Sequence, residues 1–285
     1  MEEVIFQRHL KPQWFWKLHK WLQIGEERKM KISSEIFDRL FYQCISRKKE
    51  LLNRSKTAMD RDDFDLLTFM LVEDHNNQEE REMSAFKKSE KYARDMAFNL
   101  LSAGSETVSS GLAWFLWLVA THQLIENSIL EEIKTNLNGE GDGKGRHFSF
   151  EELSKLNYLH AAICESLRLY PPVPFEHTVS VDSDTLPSGH QIGKNTRVIY
   201  SPYWMGRMEE IWGADCLEFK PERWISNKGE LGDVSPYKFR AFNAGPRACI
   251  GKVWTVASDI DKEDRLSMLR KIMQGGHPER EGGLA

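Results

Sequence analysis

Apolar residues recur along this chain mostly at helical spacing, with one interval of short, strand-like alternation. From Glu27 to Leu52, the residues Ile32, Ile36, Phe37, Leu40, Phe41, Cys44 and Ile45 fall on one side of a helical repeat, which predicts an amphipathic helix whose other side is charged. It closes with Arg47-Lys48-Lys49-Glu50, cations suited to the negative end of a helix dipole. Ahead of it, Trp14, Trp16 and Trp21 stand among basic residues. A helix lying on a membrane surface has this pattern, as does a helix packing its aromatics into a core, and the core is the expected reading. Residues 53–63 read as a polar connection, 63–73 as a short amphipathic helix and 74–81 as a loop.

A long helix is predicted from about Ser89 to Asn127. Gly104 stands in its middle at a cost of roughly 1 kcal/mol relative to alanine, so a local distortion opening space beside a ligand is expected there. Residues 139–147 are rich in glycine but lack the Gly-Lys-Ser/Thr ending and the preceding strand of a phosphate cradle, and a surface turn is expected. Ser149 is placed to cap a helix with Glu151 and Glu152 in its first turn. A further helix spans Leu156 to Tyr170 and is stopped by Pro171-Pro172. Turn residues at Pro187-Ser188-Gly189 and Gly193-Lys194-Asn195 divide Val179 to Tyr200 into short strands. Glu263 to Met273 has an amphipathic pattern. The fold class is mainly α with a small β region.

Composition narrows the functional classes. The 285 residues, 40% hydrophobic and 29% charged, suffice for one large or two ordinary domains with a packed core. A net charge of -4 argues against a nucleic-acid footprint, which needs a clustered basic excess. Cys44, Cys164, Cys216 and Cys249 lie far apart with no Cys-x-x-Cys pair. That excludes a zinc ribbon, gives no sign of a disulfide framework and fits a reducing compartment. The most apolar run, Gly111 to Ala120, falls short of the roughly eighteen apolar residues of a membrane span. The first residues lack the basic-then-apolar pattern of a signal peptide.

The chemistry concentrates in Phe242-Asn243-Ala244-Gly245-Pro246-Arg247-Ala248-Cys249-Ile250-Gly251. A thiolate held in such a loop can serve as the axial ligand of haem iron and favour O–O cleavage. Gly245 and Gly251 let the backbone approach a flat macrocycle, Arg247 offers a fork of donors suited to a haem propionate, and Phe242 would shield the sulfur from water. A buried free cysteine in a Gly/Pro loop is the alternative. Ala103-Gly104-Ser105-Glu106-Thr107 sets an acid beside an alcohol within the long helix, although a surface acid and a filler alcohol look the same. Glu165 and Arg168 share one helical face and can pair, as many solvated residues do, and Pro221-Glu222-Arg223-Trp224 follows further on.

Taken together these motifs resemble those of the cytochromes P450: F-x-x-G-x-R-x-C-x-G at 242–251, A-G-x-[DE]-T at 103–107, E-x-x-R at 165–168 and P-E-R-[FW] at 221–224. The resemblance implies the C-terminal part of the P450 fold over residues 1–252, followed by a divergent tail, 253–285. It implies haem b with Cys249 as the axial iron ligand and Phe242, Gly245, Arg247 and Gly251 as its loop. Glu106 and Thr107 become the catalytic pair that handles protons on the distal side; Val108 stands where many relatives have a second threonine. Glu165, Arg168 and Arg223 become a structural triad beneath the loop, a carboxylate between two guanidiniums that would be costly to bury apart. Pro172-Val173-Pro174-Phe175 would border the substrate cavity. Leu186-Pro187-Ser188-Gly189-His190, the stretch from Tyr203 to Asp215, and Phe15 to Lys20 are similar to a plant branch that hydroxylates fatty acids at the chain terminus or long alkanes at mid-chain.

The function so implied is hydroxylation of a long-chain aliphatic substrate with O2 and electrons from NADPH-cytochrome P450 reductase, at the endoplasmic reticulum membrane. The family's membrane anchor and the first part of its fold have no counterpart in these residues, and Ser258 onward does not resemble it, so a truncated or altered product is expected. A non-catalytic remnant unable to hold haem is the alternative. A thiol hydrolase is a third reading, for which no histidine is positioned by sequence to activate Cys249.

Overall fold

A computed structural model describes residues 4, 7–8, 11–54, 68, 90–137 and 150–252. The expected connection beyond Arg54, the helix at 63–73, the loop at 74–81, the glycine-rich turn at 139–147, the cap at Ser149 and everything from 253 to 285 lie outside the described residues. The chain divides into two compact units, residues 1–103 and 104–285.

In the first unit, α1 (Gln13–Leu22) and α2 (Gly25–Arg54) are joined by a turn in which Gln23 and Gly25 adopt positive φ. α2 meets the start of α3 (Glu90–Thr121) through buried Ile45 and Ala93. Phe98 stands edge-on to Phe37 and Phe41 at 5.5 and 6.4 Å, and ion pairs join Arg94 to Asp38 and Lys49 to Glu90. The apolar face expected of α2 is thereby split. Phe37, Phe41 and Ile45 turn inward, whereas Ile32, Ile36, Leu40 and Cys44 are exposed. The expected aromatic core of α1 does not form either. Trp14 and Trp21 are 68% and 78% exposed, and Trp16 is half-buried under the Arg8 guanidinium. α1 rests on α2, which leaves the Trp14 and Trp21 rings largely uncovered by the described residues.

The second unit begins within α3. The helix is α-helical throughout, so no break accompanies Gly104, although the space beside it is open, with nothing within 4 Å of an added Cβ. The long helix also ends earlier than its periodicity predicts. It stops at Thr121, and α4 (Gln123–Leu137) departs at 107°. The Thr121 hydroxyl and His122 Nδ1 both donate to Leu118 O, at 3.0 and 2.8 Å, the carbonyl that the His122 N–H of a continuing helix would use. Among the described residues no single helix is long and apolar enough to cross a membrane.

A short helix α5 (Phe150–Leu153) leads to α6 (Asn157–Leu169), which is buried along nearly its whole length. Leu156 offers no side-chain cap. Glu132 of α4 supplies one from outside, accepting the Tyr158 and Leu159 N–H groups at 2.7 and 2.9 Å. α3 lies close against α6 at Gly111, where a Cβ would come within 3.2 Å of Leu167. Strand β1 (Glu176–Val179) pairs antiparallel with β4 (Arg197–Tyr200), and β2 (Asp184–Thr185) with β3 (Gln191–Ile192). Two one-turn helices, α7 (Pro202–Met205) and α8 (Glu209–Trp212), and a 3-10 turn at Pro221–Trp224 complete the wall around α6. The described part is mainly helical with two small sheets. Its core joins Phe115, Leu118, Ile129, Leu159, Leu167, Trp224 and Phe239.

Candidate functional site

α6 carries two charges into the core. The side chains of Glu165 and Arg168 are both 0% exposed and meet in a bidentate pair, Nε to Oε2 and Nη2 to Oε1, each 2.7 Å. Burying charges this way is tolerable only when the remaining donors and acceptors are met, and here they are. Arg168 Nη1 donates to the carbonyls of Gly206 and Cys216, and Nη2 to that of Glu218. Glu165 further accepts from Lys220 N at 3.1 Å, the Trp224 indole N–H at 2.8 Å and Arg223 Nε at 3.3 Å. Arg223 in turn donates to Asp215 Oδ1 and to the carbonyls of Trp212 and Asp215. The Lys220 ammonium and the Arg223 guanidinium hold the Asp215 carboxyl down at about 2.

The structure therefore gathers Glu165, Arg168 and Arg223 into one network and adds members that sequence reasoning missed. Trp224 carried a signal, since it adjoins Arg223 and its indole needs a partner when buried. The carbonyls of Gly206, Cys216 and Glu218 carry none, because a backbone oxygen looks the same at every position.

From this network a row of rings leads to the cysteine loop. Trp224 stands edge-on to Phe239 at 4.7 Å, and Phe239 to Phe242 at 6.0 Å. Phe242, half-buried, begins the loop, and its carbonyl accepts the Cys249 N–H at 2.8 Å. Between them the backbone takes positive φ at Asn243 and Gly245 and makes a 3-10 turn over Gly245–Arg247. Positive φ at Gly245 is the conformation a glycine adopts without cost. Arg247 and Cys249 are exposed at the tip and Gly251 is half-buried. Glu106, exposed, and Thr107, half-buried, lie on a separate element, α3.

The thiols differ by environment. Burial, with Glu165 adding to it, pushes the Cys164 thiol up to about 12, which keeps it a neutral, inert side chain. Cys249 is exposed and free of any disulfide. Among the described residues no cluster of three or more His, Cys, Asp or Glu is arranged to hold a metal ion.

The profile of the cytochrome P450 family matches residues 1–254. An Arabidopsis thaliana protein named alkane hydroxylase MAH1 is 42% identical over 253 residues, covering 88% of this chain and 47% of that protein. Cytochrome P450 86B1 of the same plant is 40% identical over 259 residues, 88% of this chain and 44% of its own. A Narcissus protein named noroxomaritidine synthase 2 is 37% identical over 249 residues, 86% and 46%. The chain spans about half the length of the curated relatives it matches.

Proposed function

Because the chain belongs to the cytochrome P450 family, whose members bind haem b and act as monooxygenases, we propose that it holds haem b through Cys249 and hydroxylates a long-chain aliphatic substrate. The observation that carries this reading is the loop itself. An exposed thiol and an exposed guanidinium stand beside small residues and the outward-facing Ile250, 83% exposed, and the loop's first residue is tied inward through Phe239 and Trp224 to the buried carboxylate of Glu165.

The donor set fits the group: a soft thiolate for iron and a fork of N–H donors for a carboxylate, on a surface apolar enough for a flat ring. When bound, haem b supplies the oxygen-activating redox chemistry of the family. The chain's own residues have separate tasks. Cys249, as thiolate, and the Arg247 guanidinium would hold the group, the one at its iron and the other at a propionate. Phe242, Gly245 and Gly251 shape the loop, but the expected shielding of the sulfur by Phe242 is not seen, since Cys249 is exposed beside it. Thr107 Oγ1 and the Glu106 carboxyl would hold and pass protons. Glu165, Arg168 and Arg223 fix the base of the loop and take no part in the reaction.

The aliphatic substrate is supported by the similarity to a protein named alkane hydroxylase and by the stretches at 186–190 and 203–215. The electron donor is an NADPH-dependent P450 reductase, and the setting is the endoplasmic reticulum membrane. Residues 1–252 form the partial P450 domain and 253–285 a divergent tail. A second reading is a chain of this fold that does not retain haem, favoured by the exposure of Glu106, which leaves the acid of the proposed proton pair in water.

The reduced carbon monoxide difference spectrum of the haem-supplemented protein separates the two. A thiolate-type Soret band that disappears in Cys249→Ala is the expected result. No such band, or the same band in the variant, refutes the assignment.

A further inference from the structure

One oxygen stands where the loop begins. Asn243 adopts φ 62, a left-handed conformation that costs most residues free energy and that a short polar side chain tolerates. Its Oδ1 accepts three hydrogen bonds: from the Tyr200 hydroxyl at 2.9 Å, from Arg240 Nη2 at 2.8 Å and from the Ala244 N–H at 3.1 Å. Three donors on one atom identify it as the amide oxygen. Tyr200 is the last residue of β4, and the Arg240 guanidinium also lies 4.8 Å over its ring. A strand end, the segment ahead of the loop and the loop's own backbone thus converge on a single side chain. The peptide plane between Phe242 and Asn243 turns with φ of Asn243, and that plane carries the carbonyl to which Cys249 N–H donates. Nothing in the motif requires asparagine here, since the position is one of its variable ones.

We propose that Asn243 is a positioning residue for Cys249: its amide oxygen locks the left-handed turn, and the turn aims the carbonyl that pins the cysteine. The proposal rests on the haem-thiolate reading for its consequence but not for its geometry. Asn243→Asp keeps the acceptor and the tolerance for positive φ, while placing a negative charge near the sulfur. Asn243→Gly keeps the backbone conformation and removes the acceptor. Tyr200→Phe removes one of the three donors and keeps the ring under Arg240.

The test uses the full chain with two readouts. Without haem, amide hydrogen exchange across 242–251 reports the order of the loop. With haem, the thiolate-type share of the carbon monoxide band and the reduction potential report ligation. Expected for Asn243→Gly are exchange of the Cys249 amide about tenfold faster and a smaller thiolate-type share, with Tyr200→Phe intermediate. Expected for Asn243→Asp are exchange and band as in the parent and a potential shifted to more negative values by the added charge. Parent-like exchange in Asn243→Gly overturns the proposal, as does an Asn243→Asp that behaves like the glycine variant. If the parent itself takes up no haem, the monooxygenase reading fails, and the exchange comparison still decides whether Asn243 positions the loop.

Discussion

Replacing Glu165 by glutamine keeps the side chain's shape and removes its charge. Both carboxylate oxygens accept from donors on two sides, Arg168, Arg223 and Lys220 N on one and Arg168 and Trp224 on the other. Either orientation of the new amide therefore points an N–H at another donor. Removing one partner of a buried ion pair costs roughly 3–5 kcal/mol, because the other charge stays behind. Arg168 retains its three backbone carbonyls, so the lower end, about 3 kcal/mol, is expected for Glu165→Gln. Arg168→Met strands those three carbonyls together with the carboxylate, and the upper end, about 5 kcal/mol, is expected. The double variant removes both charges, and its cost should fall below the sum of the singles by about 2 kcal/mol or more. Domains are usually stable by only about 5–15 kcal/mol, so urea unfolding followed by far-UV circular dichroism will resolve each change. Single variants costing under about 1 kcal/mol, or a double variant additive within about 0.5 kcal/mol, would refute the reasoning.

Two further predictions rest on neighbouring contacts. Asp215 is held at about 2, below the ordinary aspartate value of about 3.9. A depressed carboxyl stabilises the fold above its unfolded value and loses that contribution as pH falls through its folded one. The urea midpoint of Asp215→Asn should therefore lie below the parent's near neutral pH and converge on it only as pH falls below about 2; a gap independent of pH would contradict the ion-pair account. Gly206→Ala would drive a Cβ against the Arg168 carbonyl oxygen and to 3.2 Å from its carbon. Backbone cannot move aside as a flexible side chain does, so a loss of about 3 kcal/mol is expected, read from thermal melting, and a change under about 0.5 kcal/mol would show that the site yields.

The helices over Glu27 to Leu52 and Leu156 to Tyr170 are legible in sequence because apolar spacing reports a helix that buries one side or more. The break at His122 is not, because neither Thr121 nor His122 is a helix stop by type; their side chains take the Leu118 carbonyl that the next turn would use. Trp14 and Trp21 show the limit from the other direction, since a helical pattern tells which residues share a face and not whether a neighbour covers it. At the site, Glu165 and Arg168 are visible as a pair three residues apart. The three carbonyls that share the load on Arg168 come from residues 38 to 50 positions later and leave no mark in composition. Asn243 sits in plain view inside the motif, yet its left-handed backbone and its three donors appear only in three dimensions.

The partners of Glu165 and Arg168 outside α6 all lie later in the chain, from Gly206 to Trp224. Trp224 follows Glu165 by 59 residues, so at a synthesis rate of about 5–20 residues per second it leaves the ribosome roughly 3–12 seconds after the carboxylate it will bind. A helix forms within about a microsecond. A 13-residue helix is marginal on its own, but whenever α6 forms in that interval its two future core charges can already be matched to each other. The carbonyls and the indole then replace water around a pair that can be set before they arrive. The three-residue spacing puts the match within one helix, so it is available to the chain before the later partners are made.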